Sequence, residues 1–263
     1  MKLNNDNYHT LESRYLTGSR IGDFLKCKRY FHDRHISGER RNIITDALIT
    51  GSAVDTWLTR GEDAFKREFL AVPRRSKVNP PVGYTEITNT MFDEIVAICS
   101  VAEKQPAFQE LKDHRAQEII YFDEDFGKHF CGLSFIPDWY KIEGDTCIIT
   151  DLKTAADANE RQYFWHCLKF RYFEQMAVAT IILRKLHPEI KKFVYRHFVL
   201  EKNPNVVPIP YTYFLDNDRV EVCANIIKNE VIPMIASEVE FKSKEVEWRG
   251  APSIGSLDND WDE

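Results

Sequence analysis

The sequence lacks the patterns of several common classes of protein. Its apolar runs stay well short of the roughly 20 residues that a membrane-spanning helix needs. The first ten residues, MKLNNDNYHT, are polar and contain no apolar segment of the kind found in secretory signals. We therefore expect a soluble intracellular protein that has no membrane partner.

Motifs for several other chemistries are also missing. No Gly-rich phosphate loop and no Gly-x-Ser-x-Gly elbow occurs, so ATPase and serine hydrolase functions have no support. The six cysteines include no Cys-x-x-Cys pair and are expected to be reduced thiols rather than a disulfide framework. His32 and His35 lack a second pair of ligands, so a zinc site is not predicted.

Composition indicates a folded protein without a strongly basic character. The chain has 263 residues, of which 43% are hydrophobic and 13% aromatic, which is enough to build a core. Its net charge of −6 argues against a protein that coats nucleic acid. This charge is compatible with a nuclease, because a metal site itself contributes clustered carboxylates.

Hydrophobic spacing predicts helices first and then a mixture of strands and helices. Helical spacing covers 18–36, 46–59, 89–112, 159–186 and 217–237. Short β-branched and aromatic segments predict strands within AQEIIYFDED, KHFCGLSFIPDWYKIEG, TCIITDLKT, KKFVYRHFVL and VVPIPYTYF. The apolar letters CIIT indicate a central, buried strand.

This order predicts a mixed α/β fold. From residue 89 the elements run helix, three strands, helix, strand, which is an αβββαβ core. We expect a single globular unit with an N-terminal helical lobe over 1–88, a core over 89–240 and a tail over 241–263. The acidic tail is expected to be a frayed end; a segment that binds a partner is the alternative.

Two aspartates and a lysine lie at the ends of predicted strands. Asp138 follows a proline before one strand, and Asp151 and Lys153 end the next. Residues two apart on a strand share a face, so Asp151 and Lys153 point the same way while Leu152 faces the core. Mg²⁺ prefers oxygen ligands, and Asp138, Asp151 and the Leu152 carbonyl could supply them, with Mn²⁺ as a substitute. By itself, Asp-Leu-Lys favours a surface ion pair over a metal site.

With its surroundings, this stretch resembles the PD-(D/E)XK nuclease superfamily. The match consists of Pro137-Asp138 followed by Asp151-Leu152-Lys153, and the αβββαβ order agrees with the restriction-endonuclease-like fold. The segments SRIGDFLKCKRYF, GSAVDTWL, AQEIIYFDED and KFRYFEQMAVAT, in this order, resemble flanking motifs of the exonuclease VIII-like (RecE-like) and RecB-type branch.

The resemblance implies roles for several residues. Asp138 and Asp151 would hold the metal and Lys153 would orient the attacking water, while Glu118 and Gln175 would be further catalytic residues. Tyr172 would lie beside the metal site. Asp55 stands where the family has a metal-binding histidine, and aspartate is an acceptable ligand for a hard cation.

Cys27 occupies the position of the first cysteine of iron–sulfur relatives. Those relatives need three more near the C-terminus, and only Cys223 is there, so no iron–sulfur cluster is predicted. Cys27 is expected to be a small core residue instead.

Basic and polar residues near these motifs are candidate substrate contacts. Arg29 in the first helix, and Arg161 and Gln162 just after the Lys153 strand, are predicted to bind DNA phosphates. A solvated charged surface is the alternative for each. Further basic candidates, Arg74, Arg75 and Lys77, lie in a Pro-rich loop.

The resemblance implies a Mg²⁺-dependent DNA exonuclease that degrades linear duplex DNA from the 5′ end for recombination or repair. It further implies a bacterial or phage-infected cytoplasm, a single-strand annealing recombinase as partner, and a ring-shaped homo-oligomer. Two other functions stay open from the residues. One is a flap- or end-specific RecB-type endonuclease in repair, and the other is a weakly catalytic DNA-binding scaffold.

Overall fold

Short polar side chains begin most of the longer helices. Thr17, Thr45, Thr88, Asn159 and Asp216 each accept a backbone N–H of the first helical turn, which satisfies donors that would otherwise have no partner. The computed structural model describes residues 8, 10, 13–40, 44–73, 81–202 and 210–238. The basic loop candidates and the acidic tail lie outside these residues.

The helices are α1 (Gly18–Lys26), α2 (Lys28–His35), α3 (Asp46–Arg60), α4 (Glu62–Glu68), α5 (Asn89–Ala102), α6 (Pro106–Leu111), α7 (Glu160–Lys169), α8 (Tyr172–Leu186), α9 (Asn217–Ile226) and α10 (Ile232–Glu238). A π-helical turn over Ile227–Val231 joins the last two. Among the described helices, none combines the length and the apolar character that crossing a bilayer requires.

The strands are β1 (Phe69–Val72), β2 (Thr85–Thr88), β3 (Arg115–Ala116), β4 (Ile120–Asp123), β5 (Gly132–Phe135), β6 (Trp139–Glu143), β7 (Thr146–Ala155), β8 (Lys192–Glu201) and β9 (Pro210–Phe214). Five of them form a mixed sheet in the order β3-β6-β7-β8-β9. Only β7 and β8 are parallel in this sheet, and α7 and α8 form the crossover between them. The predicted mixed α/β fold and the central position of β7 are confirmed.

The hairpin of β4 and β5 continues the ladder of β3 and β6 in the same register. Ile120 pairs with Phe135 in the first, and Ala116 with Trp139 in the second. Between the two pairs, the Gln117 N–H donates to the Pro137 carbonyl at 3.1 Å. Each of the first two predicted core strands is therefore one strand interrupted in its middle.

Helices cover both faces of the sheet. Ile149 and Tyr195 contribute to a core that includes residues of α1, α8 and α9. Leu152 and Phe198, from the same two central strands, contribute to a second core with α3, α5 and α6. The alternation along β7 thus directs successive side chains into two different cores, as the period of a strand requires.

Several predicted boundaries are wrong in detail. The helix predicted over 18–36 is two helices that meet at Cys27, and this residue is exposed rather than in the core because it caps the break. The helix predicted over 89–112 stops before Pro106, which begins a new one, since proline suits a first turn. The N-terminal region also contains the parallel pair of β1 and β2, which was not predicted.

Gly18 allows α1 to approach α8 closely. A Cβ atom at this position would lie 2.8 Å from the Gln175 Cα, which is a backbone atom and cannot rotate away. The next glycine of the same helix, Gly22, has more room: its Cβ would lie 3.5 Å from the Arg171 Cδ.

We expect Gly18→Ala to lower the free energy of unfolding by about 1–3 kcal/mol, because the helices must separate to admit the methyl group. Gly22→Ala is the matched control and should be neutral, or stabilising by up to about 1 kcal/mol, since alanine favours helix. Urea denaturation measures both. Equal stability of the two variants would contradict this close approach of α1 to α8.

Candidate active site

Asp138 lies where β7 loses its neighbour in the sheet. The pairing of β6 with β7 ends at Trp139 and Thr150. Beyond it, the Leu152 N–H donates to Asp138 Oδ2 at 2.6 Å, so the carboxylate takes the place of a strand partner. The N–H and C=O of a strand residue point to the same edge, so the Leu152 carbonyl also lies on the Asp138 side.

Asp151 and Lys153 share one side of β7, as the strand period predicted. The Lys153 ammonium forms an ion pair with Asp151 Oδ2. Their side chains are only 18% and 15% exposed, so water screens this pair little. The ring of Tyr172, at the start of α8, lies under Lys153 with its centre 4.7 Å from Nζ.

A second helix and an amide complete the group of carboxylates. Asp55 comes from the middle of α3. Gln117 Nε2 donates to Asp138 Oδ1 at 3.2 Å and reaches Asp55 Oδ1 at 3.5 Å. Together with Asp151, these residues line a cavity of about 290 Å³. Its wall also includes Tyr8, Pro137, Gln175 and the first residues of α1.

Burial of several carboxylates in one place changes their acidity. Burial, and then the neighbouring charge of Asp151, raise the pKa of Asp55 to about 6. Burial, Asp151 and Asp55 likewise raise the pKa of Asp138 well above its ordinary value. Like charges in a site of low dielectric disfavour ionisation. Protons or a cation are therefore needed to offset this negative charge.

For Asp151 and Lys153, in contrast, the pKa values are shifted so that the charged forms are favoured. Burial alone would raise the pKa of Asp151, but Lys153 and then His197 outweigh it, and the pKa is lowered. Burial alone would lower the pKa of Lys153, but Asp151 and Tyr172 raise it above the ordinary value. Lys153 is therefore a cation at neutral pH, suited to stabilise negative charge rather than to accept a proton.

The comparisons with known proteins identify the family of this chain. Residues 18–235 match the model of a family described as a PDDEXK-like domain of unknown function (DUF3799). The chain belongs to this family. It is thus a member of the PD-(D/E)XK nuclease superfamily, which the sequence predicted from Asp138, Asp151 and Lys153.

A solved structure shares the PDDEXK-like fold. The crystal structure of a protein from Eubacterium rectale, named "Putative exonuclease", has a TM-score of 0.67 at 18% sequence identity, over 90% of this chain and 88% of that chain. A structure of the protein SSO0001 covers 77% of this chain and 83% of that chain, at 12% identity and a TM-score of 0.27 that supports no argument. Among the curated proteins, none matches this chain.

PDDEXK nucleases typically use divalent metal ions. The donors in the cavity fit such an ion chemically, since Asp55, Asp138 and Asp151 are hard oxygen ligands and two of them have raised pKa values. In the part of the chain that the structure describes, however, no three His, Cys, Asp or Glu side chains are close enough to hold an ion as they stand. Lys153 pairs with Asp151 instead.

The remaining sequence-predicted residues divide into two groups. Gln175 lines the cavity, and Tyr172 lies against Lys153. Glu118 does not line the cavity and accepts a hydrogen bond from the Tyr140 hydroxyl at 2.6 Å. Gln117, the residue before it, contacts the carboxylates instead, and the catalytic role of Glu118 stays a prediction.

The predicted substrate contacts lie outside the cavity. Arg161 and Gln162 are exposed at the start of α7. Arg29 is on α2 and forms an ion pair with Asp33 at 2.7 Å. They stay predictions of phosphate contacts, at the surface rather than at the carboxylates.

Sequence reasoning missed Gln117. Its φ of 54° is in the left-handed region, which is uncommon for a residue other than glycine. Strained backbone of this kind concentrates at functional sites. Nothing in the segment AQEIIYF predicts this backbone conformation. The available signal was a polar residue, Gln117, next to the Glu118 that was expected at the site.

His197 is a second missed residue. It is fully buried on β8, directly opposite Asp151, and its Nε2 lies 3.9 Å from Asp151 Oδ2. Its Nδ1 is 2.6 Å from the Tyr163 hydroxyl. Burial lowers the pKa of His197 to about 4, so the ring is neutral at pH 7. A lone histidine within the apolar strand KKFVYRHFVL was the available signal.

The raised pKa of Asp55 predicts how the metal-free protein responds to pH. Because the folded-state pKa of about 6 exceeds the ordinary 3.8, ionising Asp55 destabilises the folded protein; this penalty is absent below about pH 3.8 and complete above about pH 6. With EDTA at pH 7.5, we expect Asp55→Asn to be more stable than the wild type, by up to about 3 kcal/mol. The difference should shrink towards pH 4.

Urea denaturation across this pH range measures the effect. Asp63→Asn, at an exposed position of the adjacent helix α4, is the control and should change stability by less than about 0.5 kcal/mol at any pH. An Asp55→Asn variant that is less stable than the wild type at pH 7.5 would contradict the crowding of charge around Asp55.

Proposed function

We propose that the protein is a metal-dependent deoxyribonuclease that hydrolyses phosphodiester bonds at the ends of linear duplex DNA. The observation that supports this most is that Asp55, Asp138 and Asp151 line one cavity and Lys153 pairs with Asp151, in a chain of the PDDEXK-like family. The name of the Eubacterium rectale protein, which shares the fold, agrees with an exonuclease.

Asp55, Asp138, Asp151 and the Leu152 carbonyl would hold Mg²⁺, with Mn²⁺ as a substitute. A bound divalent ion supplies an acidified water and neutralises charge on the phosphate. Because Asp151 is paired with Lys153, the proposal requires Asp151 to turn partly from the lysine towards the ion.

Lys153 then stabilises the charge that develops on the phosphate oxygens, or positions the attacking water. Its raised pKa keeps it cationic, and its burial makes the charge more effective than at a surface. Gln117 would hold Asp55 and Asp138 in place through its amide. Gln175 would border the space that the phosphate occupies, and Tyr172 supports Lys153.

The finer parts of the proposal rest on the resemblance to the exonuclease VIII-like branch. They are digestion from the 5′ end to leave a 3′ single strand, a role in recombination or repair, a single-strand annealing recombinase as partner, and a ring-shaped homo-oligomer. A cytoplasmic location in a bacterium or an infected host completes this part of the proposal.

Purified protein incubated with end-labelled linear duplex and flap DNA, and with nicked and closed circular DNA, tests the proposal. We expect nucleotide release from linear duplex alone, with Mg²⁺ or Mn²⁺ and not with EDTA. Lys153→Ala should lower the rate at least about 100-fold, since it removes a buried charge at the transition state. Label at the 5′ end should be released first.

A matched pair of neighbours serves as control. Gln117→Ala should lower activity, whereas Glu118→Ala, outside the cavity, should stay within about threefold of the wild type. Cutting of circles or flaps would favour the endonuclease alternative. A folded wild type that binds DNA and cuts none of these substrates with any metal would contradict the enzymatic proposal and leave a DNA-binding scaffold.

A further inference from the structure

The connection between α7 and α8 has an unusual backbone. The sequence predicts one continuous helix over 159–186, but it breaks at Phe170 and Arg171. Arg171 has φ 57° and ψ 45°, the left-handed conformation that residues other than glycine rarely adopt. No glycine or proline marks the break. An outlier of this kind is a reason to ask what the break presents to solvent.

The break presents Phe170 at the edge of the candidate active site. The Phe170 side chain is 47% exposed. Its ring stacks on Tyr172, with centres 5.9 Å apart and planes 23° apart, and Tyr172 in turn lies under Lys153. The Phe170 carbonyl accepts a hydrogen bond at 3.2 Å from Gln175 Nε2, on the cavity wall.

Exposure alone would mean little, because single exposed apolar residues are normal on protein surfaces. Phe170 is held at two points: its ring stacks on Tyr172, and its backbone carbonyl accepts a hydrogen bond from Gln175. A ring held in this way forms a rigid platform and has little side-chain entropy left to lose on binding.

The charge at the ring favours one kind of occupant. Lys169 Nζ lies over the Phe170 ring, 5.5 Å from its centre, so the flexible lysine side chain must swing aside when a base stacks there. An aromatic face beside a cation is complementary to a nucleobase and its phosphate, since bases stack on aromatic rings whatever their sequence and phosphates attract lysine. A second copy of this chain would need no cation at this position.

We propose that Phe170 is a stacking platform for a nucleobase of the strand that enters the cavity, with Lys169 next to the following phosphate. The proposal rests on the proposed nuclease function and adds a base-binding position to it. Phe170 is a binding residue here and takes no part in the chemical step.

Binding of fluorescent DNA in EDTA tests the platform without hydrolysis. The probes are duplexes with a short 5′ or 3′ overhang, intact or with a single abasic residue at each position near the end in turn. For the wild type, we expect one abasic position to weaken binding on the order of 10-fold, because one stacked base is lost. In Phe170→Ala, binding should already be weakened, and that position should no longer matter.

Phe170→Trp should restore the abasic effect, because tryptophan also offers an aromatic face. Phe214→Ala is the matched control: Phe214 is 68% exposed on the edge strand β9, and its loss should leave the binding pattern unchanged. Sedimentation of each variant follows the oligomeric state.

The experiment distinguishes a failure of the Phe170 proposal from a failure of the nuclease proposal. A wild type that binds DNA, with the same abasic penalty in Phe170→Ala, would overturn the platform and leave the nuclease proposal standing. A Phe170→Ala variant that loses an oligomer but keeps the penalty would assign this face to a second copy and also overturn it. A wild type that binds none of the DNA probes would overturn the nuclease proposal and the platform together.

Discussion

Three carboxylates line one small cavity at the end of the central strand, and one buried ammonium, that of Lys153, pairs with one of them. Removing charges from water is expensive unless they are paired, and Lys153 can neutralise only one of the three. It pairs with Asp151, and burial together with the charge of Asp151 raises the pKa values of Asp55 and Asp138. A site with this imbalance has an inherent affinity for cations, which connects the fold to the proposed function.

The surrounding structure holds these charges together. Asp138 is kept in place because the ladder between β6 and β7 stops one step early and the free Leu152 N–H binds it. Asp55 lies on α3, which packs on the opposite side of the sheet from α8. Gln117 links these two carboxylates from the interruption between β3 and β4. A continuous strand there would have left no such link.

Periodicity predicted the parts of the site that lie on regular elements. Asp151 and Lys153 share a side of β7 because strands alternate, and Leu152 is buried in the core on the opposite side, as the sequence indicated. Prediction failed where the backbone departs from regular geometry. Gln117, which has a left-handed backbone, lines the cavity without having been predicted there, and a left-handed Arg171 separates α7 from α8 without a glycine or proline. Neither leaves a mark in a hydrophobic pattern.

The register between neighbouring strands also limited what could be predicted from the sequence. His197 lies opposite Asp151 only because β7 and β8 pair in parallel at one particular offset, which a single sequence does not reveal. The segments around it were nevertheless predicted correctly as neighbouring elements of an αβββαβ core. Elements were thus easier to predict than the contacts between them.

The most direct measurement is calorimetric titration of the protein with Mn²⁺ at pH 6, in two buffers of different ionisation enthalpy. If Asp55 and Asp138 carry protons in the metal-free protein and bind the cation as carboxylates, cation binding must release those protons. We expect proton release from the wild type, less from Asp55→Asn, and much weaker binding by Asp138→Asn. Binding without proton release, or equally tight binding by Asp138→Asn, would contradict a cation site formed by these carboxylates.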